Sequence, residues 1–373
     1  MFAIIPAPVR ITSGEGTFTL RSGDVVACSD PVLASVAETF VADLAAAGGV
    51  RLDVDAGRAA GAAVTLALVD DLDEVSELAP TNGVSPVDAG PGSERCRLVV
   101  TSDGVRAEGV TAEAVFRSLS SLRQLIDAAA AGADRVELAS VEVLDAPRYA
   151  WRGLSLDVVR TFFSVAEVQR VIDQVARFKC NVLHLHLTDN EGWRLQIDSW
   201  PKLTEIGAAG ASGDRPGGWY TQDDYREIVR YAADRFVTVV PEIDLPGHCA
   251  AVFASYPELA AGTESSAAAS AIPGAWMDPD VTATIGFVRD VLSEVAALTP
   301  GAYLHLGADE AFGMDHDKYV RFVDATRGIV SELGKKSVGW QESARATVGA
   351  DDVVQYWIDG EVSLDKLSEM GVE

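Results

Sequence analysis

Hydrophobic residues after about Tyr149 occur in short continuous runs, separated by amphipathic segments. The candidate strands are the runs at 154–158, 182–187, 237–243, 302–307, 337–340 and 353–357. Runs of this length without polar alternation are typical of strands buried on both faces of a parallel sheet. Because a helical pattern follows most of them, the predicted fold class is α/β, a (β/α)8 TIM-type barrel.

Two of the predicted helices carry clear start signals. Ser164 is followed three residues later by Glu167, and Thr221 by Asp224. In such a capping box, each side chain accepts a hydrogen bond from the other residue's backbone amide. We therefore expect helices to begin directly after Ser164 and Thr221.

The first 147 residues follow a different pattern. The run 97–109 alternates on either side of Asp103-Gly104, which favours a β-hairpin. Apolar residues from 112 to 126 recur at helical spacing, so this helix can cover a sheet. We expect a small α+β domain at 1–147, a barrel domain at 148–373, and loops at 86–94 and 260–275.

Length and composition agree with a folded protein of two domains. The chain has 373 residues, of which 48% are hydrophobic and 23% charged, values typical of globular proteins. Its net charge of −26 would repel a phosphate backbone, so no nucleic-acid partner is expected. No apolar run is long enough to span a bilayer, so no membrane partner is expected either.

The cysteines and the N-terminal segment bear on the compartment. The four cysteines (Cys28, Cys96, Cys180 and Cys249) are far apart, which favours reduced thiols over a disulfide framework or a zinc ribbon. The segment MFAIIPAPVR lacks the basic and long apolar regions of a signal peptide. A cytoplasmic location is the expectation, and a mature secreted form would look the same.

Polar and aromatic residues collect where the candidate strands end. They are Asp157, Arg160, Asp189, Glu242, Asp244, His248, Asp309, Glu310, Trp340 and Trp357. The carboxyl ends of parallel strands in a barrel meet at one rim, where the active sites of this fold lie. The sequence therefore predicts one polar site at this rim.

The adjacent carboxylates Asp309 and Glu310 are the candidate catalytic residues. Two acids at a strand end can act differently on one substrate, one as a proton donor and one as a charged group that orients it. Asp189 and His248 follow neighbouring strands, and we expect them to form a chain with Glu310 that adjusts its proton.

Three tryptophans at strand ends favour a sugar substrate. The indole faces of Trp193, Trp340 and Trp357 can pack on the apolar face of a sugar ring, while carboxylates and Arg160 bind its hydroxyls. The predicted ligand is therefore a glycan.

Seven segments after Tyr149 resemble the family 20 glycoside hydrolases, the β-N-acetylhexosaminidases. They are RGLSLDVVRTFFSV at 152–165, HLHLTDNEGW at 184–193, GGWYTQDDYREIVRYA at 217–232, PEIDLPGH at 241–248, AALTPGAYLHLGADE at 296–310, VGW at 338–340 and QYW at 355–357. The first 147 residues resemble the small domain that precedes this family's barrel.

The resemblance implies an exo-acting retaining enzyme that removes terminal N-acetylglucosamine or N-acetylgalactosamine by substrate assistance. Glu310 would be the acid and base, and Asp309 would hold the acetamido group. Asp189 and His248 would support Glu310. Arg160 would bind hydroxyls, and Trp340 with Trp357 would wall the acetamido pocket. The substrate would be a glycan or chitooligosaccharide; no cofactor and no metal are expected.

The sequence departs from the family pattern at several positions. Ala308 stands where the family has a second glycine, Thr161 replaces a histidine, and Cys249 replaces a hydroxyl residue. Six strands are counted, so we expect the chain to be a fragment without the last two strand–helix units. In the family that part carries a Tyr, an Asp and a further Trp of the site.

Two other functions fit the same residues. His184, His186, His248, His305 and Asp309 would lie close together in the barrel and could bind zinc, as in a metal-dependent barrel hydrolase. A non-catalytic glycan-binding fragment is the other alternative. The natural glycan, the preference for gluco or galacto sugars and the oligomeric state are not determined by the sequence.

Overall fold

The structure is a computed structural model that describes residues 4–57, 61–78, 81–87, 93–129, 134–260, 275–349, 351–358 and 362–370. The chain divides into two compact units. The N-terminal unit comprises Met1–Arg152, Ile172–Asn181 and Ala232–Val237, and the barrel unit comprises Gly153–Val171, Val182–Tyr231 and Thr238–Glu373. The domain boundary expected between residues 147 and 148 stays a prediction.

The N-terminal unit contains a seven-stranded mixed sheet. Its strands are β1 (Arg10–Arg21), β2 (Val25–Cys28), β3 (Asp53–Ala56), β4 (Val64–Leu68), β5 (Cys96–Thr101), β6 (Gly104–Gly109) and β7 (Arg135–Asp145). They lie in the order β1-β7-β5-β6-β4-β2-β3. The helices of this part are α1 (Ala34–Ala46), α2 (Asp73–Leu78) and α3 (Ala112–Ala129), with a 3-10 turn at Pro31–Leu33.

The predicted hairpin is formed by β5 and β6, which pair antiparallel. Its two turn residues are Ser102 and Asp103, one position earlier than expected, because Gly104 already pairs with Thr101. The predicted apolar stripe on α3 is confirmed, since Val115, Leu119, Leu122 and Ile126 are all buried.

The remaining strands are β8 (Gly153–Asp157), β9 (Val182–His186), β10 (Thr188–Asp189), β11 (Gly192–Trp193), β12 (Thr238–Leu245), β13 (Tyr303–Gly307), β14 (Lys336–Trp340) and β15 (Val353–Gln355). The helices that accompany them are α4 (Val165–Arg177), α5 (Lys202–Glu205), α6 (Gln222–Ala233), α7 (Ala250–Ser255), α8 (Thr284–Leu298), α9 (His316–Glu332) and α10 (Leu364–Glu369). Short 3-10 turns lie at Pro257–Ala260 and Gln341–Arg345.

Six of these strands form one sheet in the order β15-β14-β13-β12-β9-β8. Neighbours along the sheet are parallel and follow one another in the chain, apart from the small β10–β11 hairpin. Strands β9 and β13 are buried along their whole length, as their apolar sequences predict. The predicted α/β class with barrel-type winding is therefore confirmed.

Both capping boxes are present. The Glu167 carboxylate accepts from the Ser164 amide at 2.8 Å, and the Asp224 carboxylate accepts from the Thr221 amide at 2.9 Å. The helices α4 and α6 begin one residue later, at Val165 and Gln222. The expected loops lie largely outside the described residues, since 88–92 and 261–274 are not among them.

The prediction of free thiols is confirmed. Cys28, Cys96 and Cys249 are buried, Cys180 is half-buried, and none of the four forms a disulfide. No helix among the described residues has the length and apolar character needed to cross a membrane.

Candidate active site

The carboxyl ends of the sheet in the barrel unit bring the predicted site residues to one rim. Asp157 ends β8, Glu242 and Asp244 lie near the end of β12, and Trp340 ends β14. The acid pair Asp309 and Glu310 follows β13 after one intervening residue, Ala308. The expectation that these side chains share one edge follows from the parallel arrangement of the strands.

The acid pair lies on a strained turn. Gly307, Ala308 and Glu310 have φ values of 67°, 72° and 44°, in the left-handed region. A Cβ at Gly307 would lie 1.8 Å from Oδ1 of Asp244, so only glycine fits there. Non-glycine residues in this region cost about 1–3 kcal/mol each. Ala308, where the family has glycine, therefore places a buried methyl group at a position whose backbone conformation favours glycine.

Two hydrogen bonds hold this turn in place. The Tyr319 hydroxyl donates to the Ala308 carbonyl at 2.6 Å, and the Gly307 amide donates to Nδ1 of His305 at 3.0 Å. The side chain of Asp309 is 13% exposed and that of Glu310 39% exposed. The two adjacent acids therefore differ in their access to solvent, and Glu310 is the one open to a ligand.

His248 lies between Asp189 and the acid pair. Its Nδ1 donates to Oδ1 of Asp189 at 3.1 Å, and its Nε2 lies 3.5 Å from carboxylate oxygens of both Asp309 and Glu310. Burial alone would lower the pKa of His248, but its hydrogen bond to Asp189 and the nearby carboxylate of Asp309 outweigh burial and raise it to about 12. The structure therefore brings together the predicted chain of Asp189, His248 and Glu310.

The carboxylate of Asp189 is charged. Burial opposes its ionisation, but hydrogen bonds from His186 and His248 lower its pKa well below the usual range. Its oxygen Oδ2 also accepts from Nη2 of Arg160 at 2.5 Å. Asp189 is thus a fixed negative charge that contacts three cationic side chains, His186, His248 and Arg160.

Glu242, a rim residue to which the sequence assigned no individual role, lies at the centre of a buried cluster. It is fully buried, and its Oε2 accepts from Nε2 of His184 at 2.8 Å and from Nδ1 of His186 at 2.6 Å. Its Oε1 accepts from Nε1 of Trp340 at 2.8 Å. The sequence His184-Leu185-His186 in β9 places two histidines on the same face of the strand, which is a sequence signal for such a cluster. That Glu242 of β12 is their partner depends on the sheet register.

Asp244 is the second buried acid of β12. Burial, reinforced by the neighbouring charges of Asp309 and Glu242, raises its pKa well above the usual range. Its amide donates to the Thr188 hydroxyl at 2.9 Å. The environment of Asp244 therefore favours its protonated form, and its side chain lies beneath the turn that carries Asp309 and Glu310.

Arg160 is predicted to bind sugar hydroxyls, and it lies at the rim with its side chain 39% exposed. It forms ion pairs with Asp157 at 3.1 Å, Asp189 at 2.5 Å and Glu191 at 3.2 Å. Arginine presents several donors in a planar fork, so some can stay on these acids while others meet hydroxyls.

The tryptophans divide into two groups. The ring centroids of Trp340 and Trp357 lie 6.1 Å apart at the rim. Nε1 of Trp357 donates a hydrogen bond to the Glu342 carboxylate at 3.1 Å. Trp193, by contrast, is fully buried, and its Nε1 donates to the Leu195 carbonyl at 2.6 Å. The expectation that Trp193 contacts the sugar is therefore wrong, because the β10–β11 hairpin turns its indole into the core against Phe287.

Arg194, next to Trp193, is a further residue that the sequence did not identify. It is fully buried and donates to five backbone carbonyls, of Val158, Val159, Ala208, Gly210 and Gly218. Burial lowers its pKa. Because Val158 and Val159 lead directly to Arg160, Arg194 fixes the backbone of the rim.

The other two family departures lie beside the site. The Thr161 hydroxyl contacts the Arg215 guanidinium, and the Cys249 thiol donates to the Ala275 carbonyl at 3.4 Å. Burial raises the pKa of the Cys249 thiol, so it is an unreactive packing group.

The described residues contain three groups of side chains that could hold a metal ion: His184 with Glu242 and His305, His186 with Asp189 and Asp244, and Asp244 with His248 and Asp309. The rings of His186 and His248 already donate to carboxylates. A metal needs a neutral imidazole, whereas the raised pKa values of both histidines favour the protonated ring. The second and third groups therefore suit a metal poorly.

Comparison with known proteins identifies relatives of both parts of the chain. The family described as Glycosyl hydrolase family 20, catalytic domain, matches residues 149–373, and Glycosyl hydrolase family 20, domain 2, matches residues 1–146.

A β-N-acetylhexosaminidase of Cellulomonas fimi is 38% identical over 95% of this chain and 69% of its own length. A β-hexosaminidase of Porphyromonas gingivalis is 30% identical over 95% of this chain and 47% of its own length. Among solved structures, the Streptomyces plicatus N-acetyl-β-hexosaminidase in complex with thio-NAglucal superposes with a TM-score of 0.84 and 37% identity, covering 98% of this chain and 71% of the other.

Proposed function

The chain belongs to glycosyl hydrolase family 20, and on that premise we propose that its rim site performs retaining, substrate-assisted hydrolysis of terminal N-acetylhexosamines. The observation that carries the proposal is the unequal pair of acids, Asp309 recessed and Glu310 open, with His248 within 3.5 Å of both. The relatives named above are hexosaminidases.

In the proposed first step, the acetamido oxygen of the substrate forms a bond to the anomeric carbon. The bond from that carbon to the leaving oxygen breaks, and the leaving oxygen takes the proton of Glu310. The product of this step is an oxazolinium ion. Family 20 is one of the recognised exceptions to the scheme with two enzyme carboxylates, because the substrate supplies the nucleophile.

Asp309 would accept a hydrogen bond from the N–H of the acetamido group and stabilise the positive charge that develops on the ring. In the second step the Glu310 carboxylate takes a proton from water, which attacks the anomeric carbon and opens the oxazolinium ring. A group that stabilises such developing charge is worth about 10²–10³-fold in rate. Two inversions at the same carbon give overall retention.

The remaining rim residues would bind the sugar. Trp340 and Trp357 offer two indole faces to the acetamido group, and Arg160 offers donors to the hydroxyls. A fixed Asp189 charge would hold His248 in place. The substrate we propose is a glycan or chitooligosaccharide that ends in N-acetylglucosamine or N-acetylgalactosamine. The cytoplasmic location expected from the sequence stays a prediction.

The first test is hydrolysis of a chromogenic N-acetylglucosaminide by the chain and by its E310Q variant. We expect kcat to fall by about 10²–10⁴-fold in E310Q, the usual contribution of a general acid. Binding of N-acetylglucosamine, followed by tryptophan fluorescence, should remain. The matched control is E332Q, which removes an exposed acid of α9 that pairs with Arg289 and should leave kcat unchanged.

Other outcomes would support the alternative functions. Sugar binding without release of the chromophore by the unmodified chain would favour a glycan-binding module. Loss of activity on chelation, with one zinc ion bound per chain, would favour the metal-dependent hydrolase. Equal kcat values for E310Q and the unmodified chain would remove Glu310 from the role of acid.

A further inference from the structure

Sheet register places Glu242 level with two histidines. Glu242 of β12 pairs with His186 of β9 on one side and with His305 of β13 on the other. Its two oxygens face different parts of the site. Oε1 accepts from the indole of Trp340, and Oε2 accepts from His184 and His186. One buried carboxylate therefore touches both the tryptophan wall and the histidine cluster.

From His186 the hydrogen bonds continue toward the catalytic acids. The second ring nitrogen of His186 donates to Oδ2 of Asp189 at 2.9 Å, and Oδ1 of Asp189 accepts from His248 at 3.1 Å. His248 is the residue 3.5 Å from Glu310. Four hydrogen bonds thus join Trp340 to His248 through Glu242, His186 and Asp189, and the 3.5 Å contact of His248 with Glu310 completes the path.

Charges alternate along this path. Burial opposes charge on Glu242, but His186 and its neighbouring histidines lower its pKa well below the usual range. Burial likewise opposes charge on His186, but Glu242 and Asp189 raise its pKa well above the usual value. His305 is neutral, since burial lowers its pKa to about 3. In a buried site each member of such a chain depends strongly on its neighbours.

We propose that Glu242 is a positioning residue of the reaction, which holds the Trp340 indole in the acetamido pocket and, through His186 and Asp189, fixes His248 beside Glu310. This inference rests on the proposed function of the rim site. Glu242 would then position both groups that the reaction needs, the wall of the acetamido pocket and the proton donor.

Neighbouring contacts limit the ways in which Glu242 can move. His184 stacks on His305 with ring centroids 4.3 Å apart, and both rings contact Trp340 at 5.6 and 5.0 Å. The charged and titratable groups that face the path are His184 and His186 of β9, Asp189 and Arg160 at the rim, Asp244 and His248 after β12, His305 of β13, and Asp309 and Glu310.

The test compares E242Q, H186Q and H184Q in the whole chain. Glutamine keeps the size of Glu242, but its amide group cannot accept hydrogen bonds from both histidines while also accepting from Trp340. His184 donates to the same oxygen as His186 but lies off the path, so H184Q controls for loss of a buried hydrogen bond. The readouts are kcat, KM, the pH dependence of kcat, the melting temperature and the Kd for N-acetylglucosamine from tryptophan fluorescence.

We expect kcat/KM of E242Q to fall by about 10–100-fold, the scale of a misplaced reacting group. Its KM should rise several-fold through Trp340, and the pH profile of kcat should shift through His248. H186Q should shift the pH profile with little change in KM. H184Q should lower the melting temperature and leave the pH profile in place.

An E242Q variant that melts earlier but keeps KM, Kd and the pH profile would overturn the proposal, because Glu242 would then only balance the buried histidines. If the unmodified chain bound the sugar without hydrolysing it, the proposed function would fail. The Kd would still decide the present inference, with a several-fold weaker E242Q supporting it and an unchanged one refuting it.

Discussion

Each unit of the molecule buries a cluster of charged side chains, and the two clusters are built differently. In the N-terminal unit, Arg117 pairs with Glu94 at 2.9 Å and with Glu113 at 2.6 Å, and Lys179 pairs with Asp145 at 2.5 Å. Every one of these charges has an opposite partner. In the barrel unit, Asp309 Oδ1, Asp244 Oδ1 and His248 Nε2 are buried without a hydrogen-bond partner among the described residues.

The two units also differ in where residues other than glycine have positive φ values. Lys179 and Phe236 of the N-terminal unit have positive φ, but they follow the ends of α4 and α6, where that conformation commonly ends a helix. The positive φ values of His248, Ala308 and Glu310 follow strands instead. Buried charge alone therefore does not indicate function. What distinguishes the barrel cluster is that polar atoms without hydrogen-bond partners occur there together with a strained turn that opens to solvent.

The largest expected contrast is in stability. Removing one partner of a buried ion pair costs about 3–5 kcal/mol, so R117A should lower the free energy of unfolding by that amount. The activity of the molecules that remain folded should not change. Urea denaturation and specific activity below the transition measure both quantities.

The matched control is R226A, because Arg226 pairs with Asp223 on the exposed surface of α6. Such pairs contribute about 0–1 kcal/mol. A loss of kcat in folded R117A, or a stability loss no greater than that of R226A, would contradict the distinction between the two clusters.

A smaller contrast is expected in the pH dependence of stability. His248 has a pKa of about 12 in the folded protein and about 6.5 when unfolded. The charged ring of His248 therefore contributes its full stabilisation below the pKa of the unfolded state. That stabilisation is lost as the pH rises toward the pKa of the folded state. The stability difference between the unmodified chain and H248Q should shrink from pH 6 to pH 10, in urea unfolding at each pH.

Arg117 provides the comparison, since it stays charged throughout this range. The stability difference between the unmodified chain and R117A should therefore be nearly constant from pH 6 to pH 10. A difference for H248Q that grows with pH would mean that His248 is neutral in the folded protein.

The sequence predicted the six strands of the barrel sheet and the position of the rim, because continuous apolar runs mark buried parallel strands and their carboxyl ends meet. It therefore placed Asp309, Glu310, Asp189 and His248 together. It could not predict the partners of Glu242, since these depend on which strands are neighbours and in which register.

Trp193 is a residue that the sequence placed at the rim but that the structure buries. Its position in the chain matches that of a rim residue, but the hairpin that holds it turns the indole inward. The direction of a side chain in a two-residue strand is set by tertiary packing and not by local sequence. Arg194 was missed for a related reason, since a charged residue normally predicts exposure.

The most direct measurement compares chromogenic N-acetylglucosaminide with the corresponding glucoside, which has a 2-hydroxyl group in place of the 2-acetamido group, in the unmodified chain and in D309N. If Asp309 acts on the acetamido group, the unmodified chain should strongly prefer the N-acetyl substrate. D309N should then lose about 10²–10³-fold in kcat on that substrate alone. Similar rates on both substrates in the unmodified chain, or an equal loss on both in D309N, would contradict substrate-assisted hydrolysis at this rim.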